Sequence, residues 1–582
     1  ALWSLPEHGE ARVLAQAPGG LSLAGVADDG TVLASTSVLA GGSLSTDAER
    51  RKARKDRGVT AILHTGMPIR AWDHEVGDTS PRWVLAVPRS ESSADDDRRV
   101  REVTTGADTV ALLGASADLS PDGCVVATTW RRRVRGGETA ESVVLIDVSG
   151  ARPRRRTLLR GTDGGGWRSP RFSPDGARIA LTSVTASSTS DTSYDTLQIH
   201  PVAGGDPVDA QVGDLTVTEY LWAPDSETLY VTGDLHSRGA VLAVDPATGA
   251  VRRTLADDAA YSSLQVTADG RYLYALRSSI DSPARPVRFT ARRGGSPALL
   301  PAPGEIGDLP GRLEWVTTEA EGVEVGAWLC TPATASAKTP APLMVWVHGG
   351  PHGSYNAWSW RWCPWLAVAR GYAVLMPDPA MSTGYGHAGL NRGWPRRPDV
   401  VWQEVEALTD VVLRRSTLDG ERTALLGASF GGFMTNWVAG QTDRFRAIVT
   451  HAGLYALDQQ HTTTDAAAGK TRVHGTPAEQ PEWYAAYSPH HHVARVRTPV
   501  LLTHGNRDYR VPVSEALRMW WDLVSRWPGR PADMPHRFLQ LTSENHWVLS
   551  PSNARVWNQT VLDFCDHHVR GRGEVPDLLP EW

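Results

Sequence analysis

Short apolar runs separated by polar turns recur through the first 300 residues. Each turn carries an aspartate followed by Gly or Ser: Asp29, Asp122, Asp175, Asp225 and Asp269. From residue 122 onward the turns lie 44 to 53 residues apart, and the first interval, of 93 residues, is about two such periods. A period of about 40–50 residues with several short strands predicts β-propeller blades, since each small sheet must bury its faces against its neighbours. About seven blades fit at this period, six or eight remain open, and a pair of β-sandwiches is the alternative.

A different pattern begins after a Pro- and Gly-rich stretch at residues 296–311, which is typical of a linker. A hairpin is predicted over 313–317 and 323–330. Short apolar runs at 343–347, 373–376, 423–427, 446–450, 500–503 and 537–541 then alternate with helical patterns at 402–412 and 514–527. Such alternation predicts a mostly parallel sheet covered on both faces. We therefore predict two domains, residues 1–305 and 306–582.

Composition narrows the function classes. The chain has 582 residues, 41% of them hydrophobic, and a formal net charge of −6, which is too acidic for a typical nucleic-acid-binding protein. No run approaches 18 apolar residues, and the first residues lack the basic and apolar regions of a secretory signal, so we expect a cytoplasmic protein without membrane contact. The four cysteines have no metal-ligand spacing and are expected to be reduced thiols.

The sharpest local motif is Gly427-Ala-Ser429-Phe-Gly431, which lies between an apolar strand and a helix-compatible segment. Small residues on both sides of a serine permit the strained strand-to-helix turn of a nucleophile elbow. The helix N-terminus adds a favourable field for developing negative charge. Ser429 is therefore the candidate nucleophile.

A serine hydroxyl needs a base to remove its proton and a carboxylate to orient that base. Asp508 follows the predicted strand at 500–503, and His546 follows the strand at 537–541. Both lie in loops after strands, where ligands meet such sheets. The chain order Ser, Asp, His is that of α/β-hydrolases.

These residues belong to a series of motifs that resembles the prolyl oligopeptidase family of serine peptidases, especially its acylaminoacyl-peptidase and dipeptidyl-aminopeptidase-like branch. The motifs, in order, are residues 347–351 (VHGGP), 382–386 (STGYG), 427–432 (GASFGG), 487–489 (YSP), 504–512 (HGNRDYRVP) and 544–546 (ENH). The resemblance implies an α/β-hydrolase domain and a propeller that restricts entry to a cavity between the domains. One departure is Asp378-Pro-Ala-Met381, which replaces an arginine-containing motif of many members, so no substrate contact of that arginine is carried over.

By this resemblance Ser429 is the nucleophile, His546 the general base and then acid, and Asp508 its orienting carboxylate. The backbone N–H of Phe430 and one N–H of Gly349-Gly350 would form the oxyanion hole. His348 occupies a position where some relatives use a tyrosine, so it could add to the oxyanion hole or be an ordinary loop histidine. Trp547 could help to form an apolar substrate pocket, with packing between domains as the alternative.

The resemblance therefore predicts a serine peptidase that hydrolyses short peptides or aminoacyl amides through an acyl-enzyme, most often as an aminopeptidase. Carboxypeptidase or acylaminoacyl-peptidase specificity, an esterase and a catalytically silent scaffold remain alternatives. An acidic pair would hold a substrate ammonium, whereas an arginine would hold a carboxylate. No cofactor or metal is predicted. Self-association through the hairpin at 313–330 or the C-terminal helix is open.

Overall fold

The N-terminal half consists of antiparallel sheets. The computed structural model describes residues 2–4, 10–86 and 100–573. In chain order the N-terminal strands are β1 (Leu2–Ser4), β2 (Arg12–Ala15), β3 (Ser22–Val26), β4 (Val32–Leu39), β5 (Arg70–Ala71), β6 (His74–Glu75), β7 (Thr79–Ala86), β8 (Arg101–Glu102), β9 (Ala117–Leu119), β10 (Val125–Arg133), β11 (Thr139–Asp147), β12 (Arg154–Leu159), β13 (Gly166–Phe172), β14 (Arg178–Val184), β15 (Asp195–Pro201), β16 (Val208–Asp209), β17 (Thr216–Trp222), β18 (Leu229–Leu235), β19 (Arg238–Val244), β20 (Val251–Ala256), β21 (Ala260–Val266), β22 (Tyr272–Ser279), β23 (Ser282–Thr290) and β24 (Ala298–Leu299). The described residues form five four-stranded sheets: β3-β4-β7-β8, β9 to β12, β13 to β16, β17 to β20 and β21 to β24.

Apolar packing joins these sheets in chain order. Four buried clusters each combine side chains from one sheet with side chains from the next. In one of them Leu145 of the second sheet shares a cluster with Phe172 and Leu181 of the third. Face-to-face packing of successive small sheets is the arrangement expected of propeller blades.

Each of the five four-stranded sheets contains one of the turn aspartates. Each lies between the first and second strands of one sheet, and its carboxylate accepts the N–H two residues ahead. The long interval from Asp29 to Asp122 is not two sheets, because it contains helix α1 (Leu44–Asp56) and the separate β5-β6 hairpin. The predicted number of seven blades is therefore not confirmed.

The C-terminal half is an α/β domain, as the alternating pattern predicts. Its strands are β25 (Gly311–Ala320), β26 (Val323–Pro332), β27 (Ala341–Val347), β28 (Ala373–Asp378), β29 (Leu418–Ala428), β30 (Ala447–His451), β31 (Val500–Gly505) and β32 (Arg537–Leu541). They form one eight-stranded sheet in the order β25-β26-β28-β27-β29-β30-β31-β32. The pairings from β28 to β32 are parallel, and those of the hairpin β25-β26 and of β26 with β28 are antiparallel. The predicted hairpin and strands are thus confirmed.

Helices cover both faces of this sheet. They are α2 (Pro364–Ala369), α3 (Gly386–Asn391), α4 (Arg397–Leu413), α5 (Phe430–Ala439), α6 (Leu457–Thr463), α7 (Ala467–His474), α8 (Pro481–Tyr487), α9 (Ser514–Arg526) and α10 (Pro551–Arg570). One apolar core packs α4, α5 and α9 on one face, and a second packs α2 and α10 on the other. Because both faces are covered, β27 is buried along its whole length.

The two halves meet through many polar contacts. Asp234 of β18 accepts hydrogen bonds from Asn356 at 2.6 Å and from Thr383 at 2.7 Å. The Trp365 indole donates to the Ile280 carbonyl at 2.8 Å.

The predicted boundary at residue 305 falls between β24 and β25, and it stays a prediction. Within the described ranges, no helix combines the length and apolar character needed to cross a bilayer.

Candidate active site

Ser429 lies at a strained turn between β29 and α5. Its φ of 57° and ψ of −118° are unfavourable for a residue with a side chain. The flanking glycines allow the turn because a Cβ on Gly431 would lie 2.0 Å from the Val347 carbonyl oxygen, and one on Gly427 would lie 2.3 Å from that of Gly431. The Ser429 N–H donates to the His451 carbonyl at 2.9 Å. This is the geometry of a nucleophile elbow.

Asp508 and His546 are joined by a hydrogen bond. The Nδ1–H of His546 donates to Oδ2 of Asp508 at 2.6 Å. Oδ1 of Asp508 accepts the backbone N–H groups of Arg510 and Val511 at 3.0 and 2.8 Å, and His504 Nε2 lies 3.3 Å from Oδ2. Burial alone would raise the pKa of Asp508, but the hydrogen bonds and electrostatic attraction of His504 and His546 lower the pKa to about 2. The carboxylate therefore stays ionised at neutral pH.

Ser429 and His546 line the same cavity, which has a volume of about 370 Å³. Among the described contacts of Ser429, none is a hydrogen bond from its hydroxyl to His546. Catalytic hydrogen bonds are often long or poorly aligned without substrate. The complete triad therefore remains a prediction.

The predicted oxyanion residues differ in their placement. Gly349 and Gly350 line the cavity, and a Cβ on Gly349 would lie 3.3 Å from the Ser429 Cβ. Phe430 begins α5 directly after the serine. His348 is instead hydrogen-bonded to the Gly349 carbonyl at 2.8 Å and to the Ser382 hydroxyl at 2.9 Å, and it does not line the cavity. His348 therefore holds the Gly349-Gly350 loop to the loop that contains Ser382, and the oxyanion hole stays a prediction.

Aromatic and basic side chains form the rest of the cavity wall. Trp547 lines the cavity as predicted, and the Arg361 guanidinium lies 4.1 Å above its ring. Arg510 also lines the cavity and pairs with Asp465 at 2.7 Å. None of the described residues that line this cavity is Asp or Glu. The lining is therefore mostly apolar, and its two arginines, Arg361 and Arg510, are its permanently charged side chains among the described residues.

The sequence analysis missed Trp72, which the N-terminal domain contributes to this cavity. Trp72 lies at the tip of the β5-β6 hairpin with a φ of 57°. Its N–H donates to Asp465 at 2.8 Å, and its carbonyl accepts the Tyr509 N–H at 2.9 Å. No glycine or repeat marks this hairpin in the sequence, so the only available signal was an isolated tryptophan beside an aspartate.

His451 was also missed, although it ends β30 beside the serine turn. Its Nε2–H donates to the His546 carbonyl at 3.2 Å, and its Nδ1 accepts the Thr503 hydroxyl proton at 2.7 Å. Burial and the nearby His504 and His546 lower the pKa of His451 to about 3, so its imidazole is neutral. His451 thus connects the backbones of Ser429 and His546.

Comparisons with known proteins agree with this geometry. Residues 358–572 match the prolyl oligopeptidase family. A probable dipeptidyl-peptidase 5 of Emericella nidulans is 35% identical over 42% of this chain and 34% of its own length. The dipeptidyl-peptidase 5 of Trichophyton schoenleinii is 28% identical over 89% of this chain and 74% of its own length.

Among solved structures, the acylaminoacyl peptidase of Pyrococcus horikoshii superposes with a TM-score of 0.77. The match covers 98% of this chain and 85% of that one at 18% identity, which supports a common two-domain fold. The Emericella alignment spans only about a third of that relative, so activity does not follow from it. The match to the prolyl oligopeptidase family model thus covers residues 358–572, and the nucleophile elbow at Ser429 lies within this matched domain.

Proposed function

We propose that this protein is a serine peptidase that hydrolyses short peptides or aminoacyl amides through an acyl-enzyme. One observation carries the proposal: the hydrogen-bonded pair of Asp508 and His546 opens onto the same cavity as Ser429, which lies in a strained elbow. This arrangement matches the requirements of nucleophilic acyl transfer.

The first half of the reaction forms the acyl-enzyme. Ser429 Oγ attacks the substrate carbonyl carbon while His546 Nε2 takes the hydroxyl proton. The oxyanion develops beside the N–H of Phe430 and the Gly349-Gly350 backbone, which stabilise it. His546 then gives the proton to the leaving amine, and the C–N bond breaks. Asp508 holds the imidazole in orientation and remains ionised throughout.

The second half releases the acyl group. His546 takes a proton from a water molecule, the resulting hydroxide attacks the acyl carbon, and the proton returns to Ser429 Oγ as the ester bond breaks. His451 holds the His546 backbone during both halves through its 3.2 Å hydrogen bond. The hydrolysis needs no metal or cofactor for its atom balance.

Substrate size would be limited by the N-terminal domain, for which we propose a propeller arrangement. Trp72 of this domain lies at the cavity wall, so access to Ser429 passes between the two domains. A folded protein is too large for a cavity of about 370 Å³, whereas a short extended peptide fits.

The relatives named dipeptidyl-peptidase 5 favour an aminopeptidase-type exopeptidase. A carboxypeptidase is the second candidate, and Arg361 is the observation that favours it. Arg361 lies at the cavity wall, stacks on Trp547 and pairs with no carboxylate among the described residues. A C-terminal carboxylate of a leaving group could pair with it.

Matched short peptides with free, N-acetylated or C-amidated termini test both readings. Aminopeptidase action predicts that acetylation abolishes cleavage and amidation does not. Carboxypeptidase action predicts that amidation abolishes cleavage and acetylation does not. It also predicts that Arg361→Met reduces cleavage of peptides with a free C-terminus. Absence of cleavage of every peptide, with hydrolysis of matched esters only, would replace the peptidase by an esterase. Ser429→Ala is the inactive control.

A further inference from the structure

A second, smaller cavity lies next to the serine turn, and it shares none of its described lining residues with the cavity that Ser429 lines. Its volume is about 40 Å³, and Phe430 forms part of its wall. Phe433, Leu454, Leu457 and Trp483 belong to its apolar part. Since a water molecule needs about 10–15 Å³ of such space, the cavity has room for roughly three or four heavy atoms. This is the size of a carboxylate with the methylene group that bears it, so the Cβ of a Glu side chain would stay at the cavity entrance.

Two basic side chains, Arg397 and Lys470, also line this cavity, together with the polar groups of Gln460, His461 and His474. No Asp or Glu is among the described lining residues. A lining that combines apolar side chains with two cations fits a group that has a methylene stem and a carboxylate head.

Arg397 is buried without a carboxylate partner in the described part of the chain. Its Nε–H donates to the Trp394 carbonyl at 2.9 Å, its guanidinium lies 3.9 Å above the Trp394 ring, and Nη1 lies 3.2 Å from His474 Nε2. These contacts neutralise none of its charge, because burial and other positive groups lower the pKa of His474 well below its usual value. A buried unpaired cation is costly.

Lys470 of α7 adds a second charge to the same cavity. The neighbouring anion, Asp465, is already held by Arg510 at 2.7 and 3.2 Å and by the Trp72 N–H at 2.8 Å. Burial, and then the charges of Arg397 and Arg510, lower the pKa of Lys470 to about 8. A bound carboxylate would raise that pKa again and favour the ammonium form.

The position of the cavity identifies the part of the substrate that reaches it. In the acyl-enzyme of the proposed function, the acyl oxygen lies at the Phe430 N–H, and the side chain of the acyl residue begins two bonds from the acyl carbon. Phe430 follows Ser429 directly in the chain and also lines the small cavity, so the side chain of the acyl residue is placed to enter this cavity.

We propose that this cavity selects substrates in which the residue attacked by Ser429 is Asp or Glu, with Arg397 and Lys470 binding its side-chain carboxylate. The inference rests on the proposed function and adds a substrate class to it. Sites built for a charged partner reject neutral isosteres strongly, because the buried groups are then left unpaired.

The test compares dipeptidyl coumarin amides that end in Ala-Glu, Ala-Gln, Ala-Asp, Ala-Asn and Ala-Ala. For the wild type we expect kcat/KM for each acidic substrate to exceed that of its amide isostere at least about tenfold. Lys470→Met and, separately, Arg397→Met should reduce this ratio to below about threefold. Exposed Lys338→Met is the matched control and should keep the wild-type ratio.

Fluorophosphonate labelling at the wild-type rate shows that each variant retains a folded site. A ratio near one in the wild type, or a ratio that persists in both variants, overturns the inference and leaves the peptidase proposal intact. If no amide is cleaved, the peptidase proposal fails. Diphenyl phosphonates that bear a Glu or a Gln side chain then test the selectivity of the small cavity without amide hydrolysis. Equal rates of Ser429 labelling by the two compounds would overturn the proposed selectivity.

Discussion

The indole of Trp72 meets the imidazole of His546 edge-on, with ring centroids 5.1 Å apart and planes at 77°. Trp72 also contacts Trp547 edge-on at 4.8 Å, and Arg510 lies 5.3 Å from its ring. A residue of the N-terminal domain thus packs directly against the proposed general base. Neighbouring Asp73 accepts a hydrogen bond from Asn545 at 2.9 Å, which fixes the hairpin to the loop that carries His546.

Trp72→Ala should lower kcat/KM for short peptides by about 2- to 10-fold. An aromatic pair contributes about 0.5–1.5 kcal/mol beyond area burial, and its loss frees the imidazole. Steady-state kinetics on an N-terminally free peptide amide measures the effect. Trp521→Ala removes an indole that is 68% exposed and should leave the rate unchanged. Equal kinetics of wild type and Trp72→Ala would show that the hairpin does not support the site.

Asp508→Asn should reduce kcat by about 10⁴-fold, since an amide in this position favours the wrong imidazole tautomer. The backbone N–H groups of Arg510 and Val511 still find an oxygen in Asn, so the fold should persist. The rate of fluorophosphonate labelling of Ser429 and the rate of peptide hydrolysis should both decrease in this variant. Exposed Asp533→Asn serves as the control. A loss of less than about tenfold would remove Asp508 from the triad.

The features that the sequence could predict depend on residues that are close together in the chain. The elbow at Ser429 depends on adjacent glycines, and Asp508 and His546 each follow an apolar strand, so short segments contain the necessary information. The strand predicted at 537–541 coincides with β32. The nearness of Trp72 to His546 depends on packing between domains. The lack of a carboxylate partner for Arg397 among the described residues depends on where distant parts of the chain pack, and no local pattern records that.

The number of sheets shows a second limit. An average period turned the segment between Asp29 and Asp122 into two blades, because insertions such as α1 and the β5-β6 hairpin have no Asp-Gly or Asp-Ser turn of their own. Counting turn motifs would have predicted five sheets, since each of the five described four-stranded sheets has one. Spacing is thus less informative here than the hydrogen-bonded turn itself.

Gly431→Ala should abolish fluorophosphonate labelling of Ser429. The new methyl group would lie 2.0 Å from the Val347 carbonyl oxygen, so the strand or the serine turn must move. A displacement of about 1 Å at a nucleophile costs about 10²-fold in rate. Gly420→Ala is the matched control, because its Cβ would meet only Leu413 at an ordinary 3.8 Å. Wild-type labelling of Gly431→Ala would contradict the elbow geometry.

Glu515 links the α9 N-terminus to the loop after β30, and it provides a pH-dependent test of that support. One carboxylate oxygen accepts the N–H groups of Tyr455 and Ala456 at 2.9 and 2.7 Å, and the other accepts a Gln459 N–H at 2.8 Å. Burial nevertheless raises the pKa of Glu515 to about 7. The folded protein therefore holds this proton between pH 4.5 and 7, where the unfolded chain has released it.

Because the folded state binds more protons in that window, the stabilisation from Glu515 protonation is lost as pH rises through about 7. Glu515→Gln has a neutral side chain at every pH, so its free energy of unfolding should not contain this pH-dependent loss. We expect the free energy of unfolding of the wild type, relative to Glu515→Gln, to fall by about 1–3 kcal/mol from pH 5 to pH 8. Urea unfolding of both proteins at four pH values measures this difference, with exposed Glu482→Gln as control. A difference that is constant with pH would mean that Glu515 is ionised throughout, and its hydrogen bonds would then outweigh its burial.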